Sequence, residues 1–142
     1  MTDTVNGSCF CGAVQFQVSG DPVAQGFCHC DDCRHWSGSP LTAYALWPSD
    51  AVTVTAGSEH VTAYSKTGQA ERQSCGKCGG TVMTVIAGAG LSDVYPHLLT
   101  GFSFQPEAHV HYGLRVVDMA DGLPKFNDMP AEAGGSGEMV QE

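Results

Sequence analysis

The chain has 142 residues, with six Lys and Arg against fifteen Asp and Glu and a formal net charge of −9. Because affinity for phosphate backbones rests on basic residues, this balance argues against a nucleic-acid partner. Leu is scarce, and the frequent Gly, Val, Thr and Ala are typical of short strands and turns. We expect one domain at residues 1–130 and a Gly/Ser/Glu-rich tail without a core role at residues 131–142.

The sequence carries no pattern that would direct it to a membrane or out of the cell. Its first residues lack the basic and then apolar regions of a secretory signal, and no apolar run is long enough to span a bilayer. We therefore expect a cytoplasmic protein with no membrane partner. Thiols stay reduced in the cytoplasm, so clustered cysteines favour metal binding or catalysis over disulfides. The odd total of seven cysteines agrees with this expectation.

Apolar patterns along the chain predict a series of short strands. The clearest are residues 13–18, 41–47, 51–55, 60–64, 70–74 and 81–86. Weaker patterns predict strands near residues 94–100 and 109–112. No helix is predicted apart from a short helical turn at residues 31–37. Many short strands without a βαβ rhythm predict an all-β domain.

The outer four cysteines form two closely spaced pairs, Cys9 with Cys11 and Cys75 with Cys78. Gly76 and Gly79 give the C-x-x-C pair the freedom to turn tightly around one tetrahedral ion. A disulfide across the C-x-C pair would be strained. We predict one structural zinc ion that ties the first strand to the middle of the domain. A redox C-x-x-C pair, which needs a βαβ setting, and an iron–sulfur site are the alternatives.

The central cysteines, Cys28, Cys30 and Cys33, form a denser group. Three thiolates can occupy one face of a tetrahedral ion and leave its fourth position to water or an incoming thiol. We predict a second zinc site of this open kind, which would hold a bound thiol as a nucleophilic thiolate. The alternative is a closed site completed by a histidine, and the candidates are His29, His35, His97, His109 and His111.

Side chains next to the central cysteines are candidates for roles in a reaction. His29 and His35 are predicted catalytic residues that move protons. Arg34 is predicted to bind a thiolate or a substrate carboxylate, with a solvated salt bridge as the alternative. Asp31 and Asp32 are expected to cap a turn or helix after the cluster. The sequence His109-Val110-His111 is interpreted as two imidazoles on one strand face at the surface.

Three motifs give the chain a family resemblance: G-S-C-F-C-G, F-C-H-C-D-D-C-R-H-W-S-G-S-P and C-G-K-C-G-G. With these motifs in this order, the chain resembles the glutathione-dependent formaldehyde-activating enzymes over roughly residues 5 to 127. That family also includes centromere protein V. The resemblance implies a mostly β, β-tent fold of short antiparallel sheets around zinc. It also assigns the structural zinc to the outer four cysteines and the catalytic zinc to Cys28, Cys30 and Cys33.

The resemblance also implies an activity, that of a zinc-dependent carbon–sulfur lyase. The family's namesake reaction joins formaldehyde to glutathione and gives S-hydroxymethylglutathione. A small-molecule thiol would then be the partner, with glutathione as a co-substrate. The alternative is a non-catalytic zinc-binding β module that serves protein interaction or thiol and metal sensing. The sequence predicts no oligomeric state.

Overall fold

The computed structural model describes residues 3–141 of the chain. Within them lie the strands β1 Thr4–Ser8, β2 Gln15–Ser19, β3 Ala24–Cys28, β4 Thr42–Pro48, β5 Val52–Ala56, β6 Val61–Tyr64, β7 Glu71–Cys75, β8 Thr81–Ile86, β9 Leu91–Asp93 and β10 His109–Val110. One α-helix, α1, spans Asp31–Ser37, and six 3₁₀ turns complete the regular structure of these residues. The mostly β class is therefore confirmed.

The chain divides into two compact units, and both draw on separate stretches of sequence. The first unit contains residues up to 24 and residues 45–104. The second unit contains residues 25–44 and the chain from residue 105 onward. None of the helical segments in the described part of the chain has the length and hydropathy that crossing a membrane requires.

Antiparallel strands build the first unit. One sheet has the order β1-β2-β5, and β6, β7, β8 and β9 pair in sequence, with β9 also pairing with Leu46–Pro48 of β4. Val14, Phe16 and Val18 are fully buried, so the alternation predicted for this segment is confirmed. Trp47 is also fully buried, and its indole N–H donates to the carbonyl of Gly20 at 3.0 Å. This packing gives the unit its hydrophobic core.

In the second unit, the strand that leads into the central cysteines pairs with β10. The pairing is parallel, with His109 opposite Phe27 and Val110 opposite Cys28. The chain then turns into α1, which ends at Gly38 in a left-handed conformation (φ 70°) that glycine adopts without strain. Residues near the C-terminus pair back on this unit through hydrogen bonds from residues 127 and 140 to residues 138 and 125. The segment expected to be a tail therefore makes backbone contacts.

Some elements differ from those predicted. The prediction of a strand at residues 94–100 is wrong, because Pro96–Leu98 forms a 3₁₀ turn. Pro96 begins this turn and has no backbone N–H to donate to a neighbouring strand. β1, β3 and β9 were not predicted from the sequence. In β3 the interior Gly26 weakens the strand pattern, yet a Cβ there would clash with the backbone carbonyl of Ala108. The predicted helical turn at residues 31–37 is a complete seven-residue helix.

Candidate functional site

The four outer cysteines meet in the first unit, as the spacing predicted. Their sulfurs all lie within 4.8 Å of one another, and all four residues are free thiols. The Sγ atoms of Cys9 and Cys11 are 3.8 Å apart, and those of Cys11 and Cys75 are 3.9 Å apart. A tetrahedral ion with Zn–S bonds of about 2.3 Å separates its sulfurs by about 3.8 Å, whereas a disulfide bond is about 2.05 Å long. These distances fit a metal ion and exclude disulfides.

Backbone N–H groups point at the sulfurs of this group. Val14 donates to Cys9 at 3.4 Å, and Gly80 donates to Cys78 at 3.3 Å. Loss of solvation opposes ionisation of Cys9, but the Val14 hydrogen bond and the neighbouring sulfurs lower its pKa to about 6. At Cys11, a backbone hydrogen bond is outweighed by loss of solvation and by the neighbouring sulfurs, which raise its pKa to about 11. Four thiolates here therefore need a cation to balance their charge.

The three central cysteines meet in the second unit, at the junction between β3 and α1. Their sulfurs also lie within 4.8 Å of one another. Cys28 ends β3, Cys30 is the N-cap of α1, and Cys33 lies in the first turn of the helix. Contacts with the other two sulfurs, together with burial, raise the pKa of Cys28 well above its ordinary value. A divalent cation at this group would remove that penalty, so the donor set fits a metal ion.

No histidine or carboxylate of residues 3–141 joins the three-sulfur group. His29 is fully buried and turns its Nε2 atom to Nδ1 of His109, 2.8 Å away. His35 is exposed, and its Nδ1 atom lies 2.9 Å from the carbonyl oxygen of Asp31. His97 packs its ring against Phe104 in the first unit. Within residues 3–141 the group thus offers three sulfur donors and no fourth protein ligand.

The charged side chains of α1 form an ion pair with each other and a hydrogen bond with the backbone. Arg34 pairs with Asp31 on the helix surface, and its Nε–H donates to the carbonyl of His29 at 3.3 Å. The capping role expected for Asp31 and Asp32 is wrong, because the sulfur of Cys30 accepts the capping hydrogen bond from the N–H of Cys33. The two carboxylates instead occupy the first turn, where the helix dipole favours negative charge.

An open cavity lies beside the second half of α1. Its volume is about 290 Å³, and its lining residues are Arg34, His35, Gly38, Ser39, Pro40 and Val116. Arg34 follows the sulfur donor Cys33 directly in the helix. The structure therefore brings two of the predicted site residues, Arg34 and His35, to one cavity, whereas His29 points into the buried interior.

Sequence reasoning missed a buried polar network in the second unit. His109 Nε2 lies 2.7 Å from Asp121 Oδ2, and Lys125 Nζ donates to Asp121 Oδ1 at 2.9 Å. The interpretation of His109 and His111 as a surface pair on one strand is wrong. His109 is fully buried, and β10 ends before His111, which has a left-handed backbone (φ 54°). The signal in the sequence was the Lys and Asp spacing of four residues, which is too common to be diagnostic.

Two curated proteins are similar to part of this chain. A protein of Schizosaccharomyces pombe named as an uncharacterized lyase is 32% identical over 76 residues, which are 54% of this chain and 53% of that protein. A putative glutathione-dependent formaldehyde-activating enzyme of Halomonas elongata is 33% identical over 84 residues, 55% of this chain and 54% of its own length. The chain thus spans about half the length of these curated relatives.

The fold has a counterpart among solved structures. A crystal structure of a Rhodobacter sphaeroides protein matches with a TM-score of 0.57 at 24% identity, over 69% of this chain and 90% of the other. That likeness concerns the fold alone. Residues 4–112 match the family model described as glutathione-dependent formaldehyde-activating enzyme, and this range contains all seven cysteines. The chain therefore belongs to the family of the glutathione-dependent formaldehyde-activating enzymes.

Proposed function

We propose that the protein is a zinc-dependent carbon–sulfur lyase that acts on adducts of a small thiol with an aldehyde, of which S-hydroxymethylglutathione is the model. The observation that carries this proposal is the three-sulfur group, which has no fourth protein ligand among residues 3–141. Its last member, Cys33, directly precedes Arg34 and His35, which line a cavity. The names of the two relatives, a lyase and a putative formaldehyde-activating enzyme, support the same chemistry.

Cys28, Cys30 and Cys33 would hold one zinc ion, and Cys9, Cys11, Cys75 and Cys78 would hold a second, structural one. The zinc at the three cysteines would supply Lewis-acid chemistry and favour the ionised form of a thiol. In the synthetic direction, the thiol loses its proton, its sulfur forms a bond to the aldehyde carbon, and the aldehyde oxygen gains a proton. The lyase direction reverses each of these changes. The residues of the chain must therefore accept and return one proton.

His35 is suited to hold that proton. A carbonyl oxygen accepts hydrogen bonds only, so the contact with Asp31 requires a proton on Nδ1 of His35. The neutral ring then carries its lone pair on Nε2. Since His35 also lines the cavity, this nitrogen can accept a proton from a thiol or hydroxyl bound there and return it later.

Arg34 is suited to bind the rest of the substrate. Glutathione carries carboxylates, and the net charge of −9 would repel it unless a local cation attracts it. The guanidinium of Arg34 lines the same cavity as His35. Its bonds to Asp31 and to the His29 carbonyl hold it in place, and an incoming carboxylate would compete with Asp31.

A non-catalytic role in protein interaction is the second candidate. Leu114 and Val116 of the second unit are 47% and 58% exposed, which suits an apolar partner surface. The same residues would equally form a rim for a small-molecule cavity, since Val116 lines it. The two functions differ in whether the chain accelerates a reaction.

Cleavage of S-hydroxymethylglutathione by the zinc-loaded protein tests the proposal. We expect wild type to exceed the uncatalysed rate, and Cys33→Ser to lose both this acceleration and one of two zinc ions per chain. His60→Gln, a change at a histidine of the first unit outside both cysteine groups, serves as the control and should retain both. A wild-type rate equal to that in solution would reject the lyase activity and favour the binding module.

A further inference from the structure

Four polar side chains of the second unit form a continuous hydrogen-bonded chain. Lys125 Nζ donates to Asp121 Oδ1 at 2.9 Å, and Asp121 Oδ2 lies 2.7 Å from Nε2 of His109. Nδ1 of His109 lies 2.8 Å from Nε2 of His29. Both imidazoles are fully buried, and Lys125 is only 3% exposed. Buried polar groups linked in this way fix each other's orientation.

The hydrogen-bond partners of each side chain determine which ring nitrogens of the two histidines carry a proton. Burial opposes ionisation of Asp121, but Lys125 and His109 hold its pKa well below the ordinary value, so the carboxylate only accepts hydrogen bonds. Lys125 already balances its charge, and a second buried cation at His109 would be costly. A neutral His109 therefore donates from Nε2 and accepts at Nδ1. His29 must then donate from Nε2, which leaves its lone pair on Nδ1.

The backbone of His29 is anchored as firmly as its ring. Its N–H donates to the carbonyl of Val110 at 3.1 Å, and its carbonyl accepts from Nε of Arg34 at 3.3 Å. The residues on both sides, Cys28 and Cys30, are two of the three sulfur donors. The ring and the backbone of the residue that links these two sulfur donors are therefore both held by hydrogen bonds.

We propose that Asp121 and Lys125 are positioning residues of the three-cysteine site, which act through His109 to fix His29 in the tautomer protonated on Nε2. This inference rests on the proposed function in one respect, that Cys28, Cys30 and Cys33 bind zinc. If the tautomer is inverted, an N–H group at Nδ1 of His29 is buried, and within residues 3–141 this atom has no hydrogen-bond partner. The ring must then shift, and the sulfurs on either side shift with it.

Nitrogen-15 NMR of the histidine rings in the zinc-loaded protein reads the tautomers directly. In wild type, we expect both His29 and His109 to be protonated on Nε2 alone. In Asp121→Asn, Lys125 retains the amide oxygen, so the amide N–H₂ faces His109 and both rings should invert. Asp118→Asn is the matched control, because it removes an exposed carboxylate that pairs with Arg115 outside the chain of four. It should leave both tautomers unchanged.

Zinc titration of the same variants tests the consequence for the site. Loss of a partner that orients a metal site typically lowers metal affinity about 10–100-fold. We expect Asp121→Asn to lower the zinc affinity of the three-cysteine site by this factor and to leave that of the four-cysteine site unchanged. A wild-type spectrum with His29 protonated on Nδ1, or with His109 doubly protonated, overturns the inference even if the variant fails to fold. Inverted tautomers with unchanged affinity overturn it as well. Wild type that binds only one zinc instead refutes the proposed function.

Discussion

The sulfur of Cys30 accepts a hydrogen bond from the backbone N–H of Cys33 at 3.3 Å and so caps the helix that carries Cys33. One side chain thus serves as helix cap and as candidate metal ligand. Because a helix of only seven residues is marginal by itself, this cap should matter for its first turn. The helix and the metal site are therefore expected to depend on each other.

Replacing Cys30 by Ser or by Ala separates these two roles. Ser is a good N-cap but a poor replacement for a zinc-bound thiolate, whereas Ala serves neither role. Both variants should lose one zinc, and Cys30→Ala should be less stable than Cys30→Ser by about 0.5–2 kcal/mol. Zinc analysis and denaturant unfolding check this. Equal stabilities would show that the cap contributes nothing to the folded state.

Loss of the four-cysteine site should be far more damaging than loss of the three-cysteine site. Cys75 is buried among the core side chains of the first unit, and structural zinc can contribute on the order of 10 kcal/mol, which rivals the whole stability of a domain, about 5–15 kcal/mol. Cys75→Ser should unfold the first unit, whereas Cys33→Ser should retain it. Circular dichroism with zinc analysis checks both. A folded Cys75→Ser protein with one zinc would contradict this ranking.

The C-terminal segment should contribute a measurable pH dependence. The backbone N–H and hydroxyl of Ser136, with the N–H of Met129, donate to Asp128 and hold its carboxyl pKa below the ordinary value. A depressed pKa in the folded state means that this stabilisation is present above the unfolded pKa of about 3.9 and is lost as the pH falls below it. The free energies of unfolding of wild type and Asp128→Asn, compared from about pH 6 to about pH 2, measure this stabilisation.

The variant should be less stable than wild type near neutral pH, and the difference should shrink as the pH falls through the acidic range. Asp50→Asn, a change in the 3₁₀ turn Ser49–Ala51 of the first unit, is a control for the loss of one carboxylate. A difference between wild type and Asp128→Asn that stays constant with pH would mean that the hydrogen bonds of residue 128 do not depend on its charge.

The two cavity residues should affect different kinetic constants. Arg34→Gln should raise KM for a carboxylate-bearing thiol adduct and leave kcat nearly unchanged, because in the proposed role Arg34 would contact substrate alike in the ground state and the transition state. His35→Gln should lower kcat by about 10²–10⁴-fold, the usual contribution of a positioned acid or base. Steady-state kinetics of both variants checks this. The reverse pattern, with KM changed by His35→Gln alone, would contradict the assigned roles.

The cysteine sites were largely readable from the sequence because their geometry is local. A C-x-C or C-x-x-C pair brings its two sulfurs together through one turn, whatever the rest of the fold does. The strand at Val14, Phe16 and Val18 could be predicted for a similar reason, because alternation of apolar and polar residues indicates a strand with one buried face. Both kinds of pattern depend on neighbours within a few residues.

The hydrogen-bonded series of side chains from Lys125 to His29 could not be predicted from the sequence, because it depends on long-range strand pairing. His29 and His109 are 80 residues apart, and only the parallel pairing of β10 with β3 brings their rings together. β3 itself was missed because Gly26 interrupts its pattern, although the close approach of the Ala108 carbonyl requires a residue without a side chain there. Sequence patterns therefore predicted the sulfur donors, whereas the hydrogen-bond partners of His29 depend on the fold.

Cadmium-113 NMR of the protein with cadmium at both sites distinguishes a three-sulfur site from a four-sulfur site, because each site gives its own resonance. We expect two resonances, one in the range of four sulfur ligands and one in the range of three. Added glutathione should move only the second, since the first group already supplies four sulfurs within 4.8 Å of one another. A single resonance, or a second resonance that ignores the thiol, would contradict an open site at Cys28, Cys30 and Cys33.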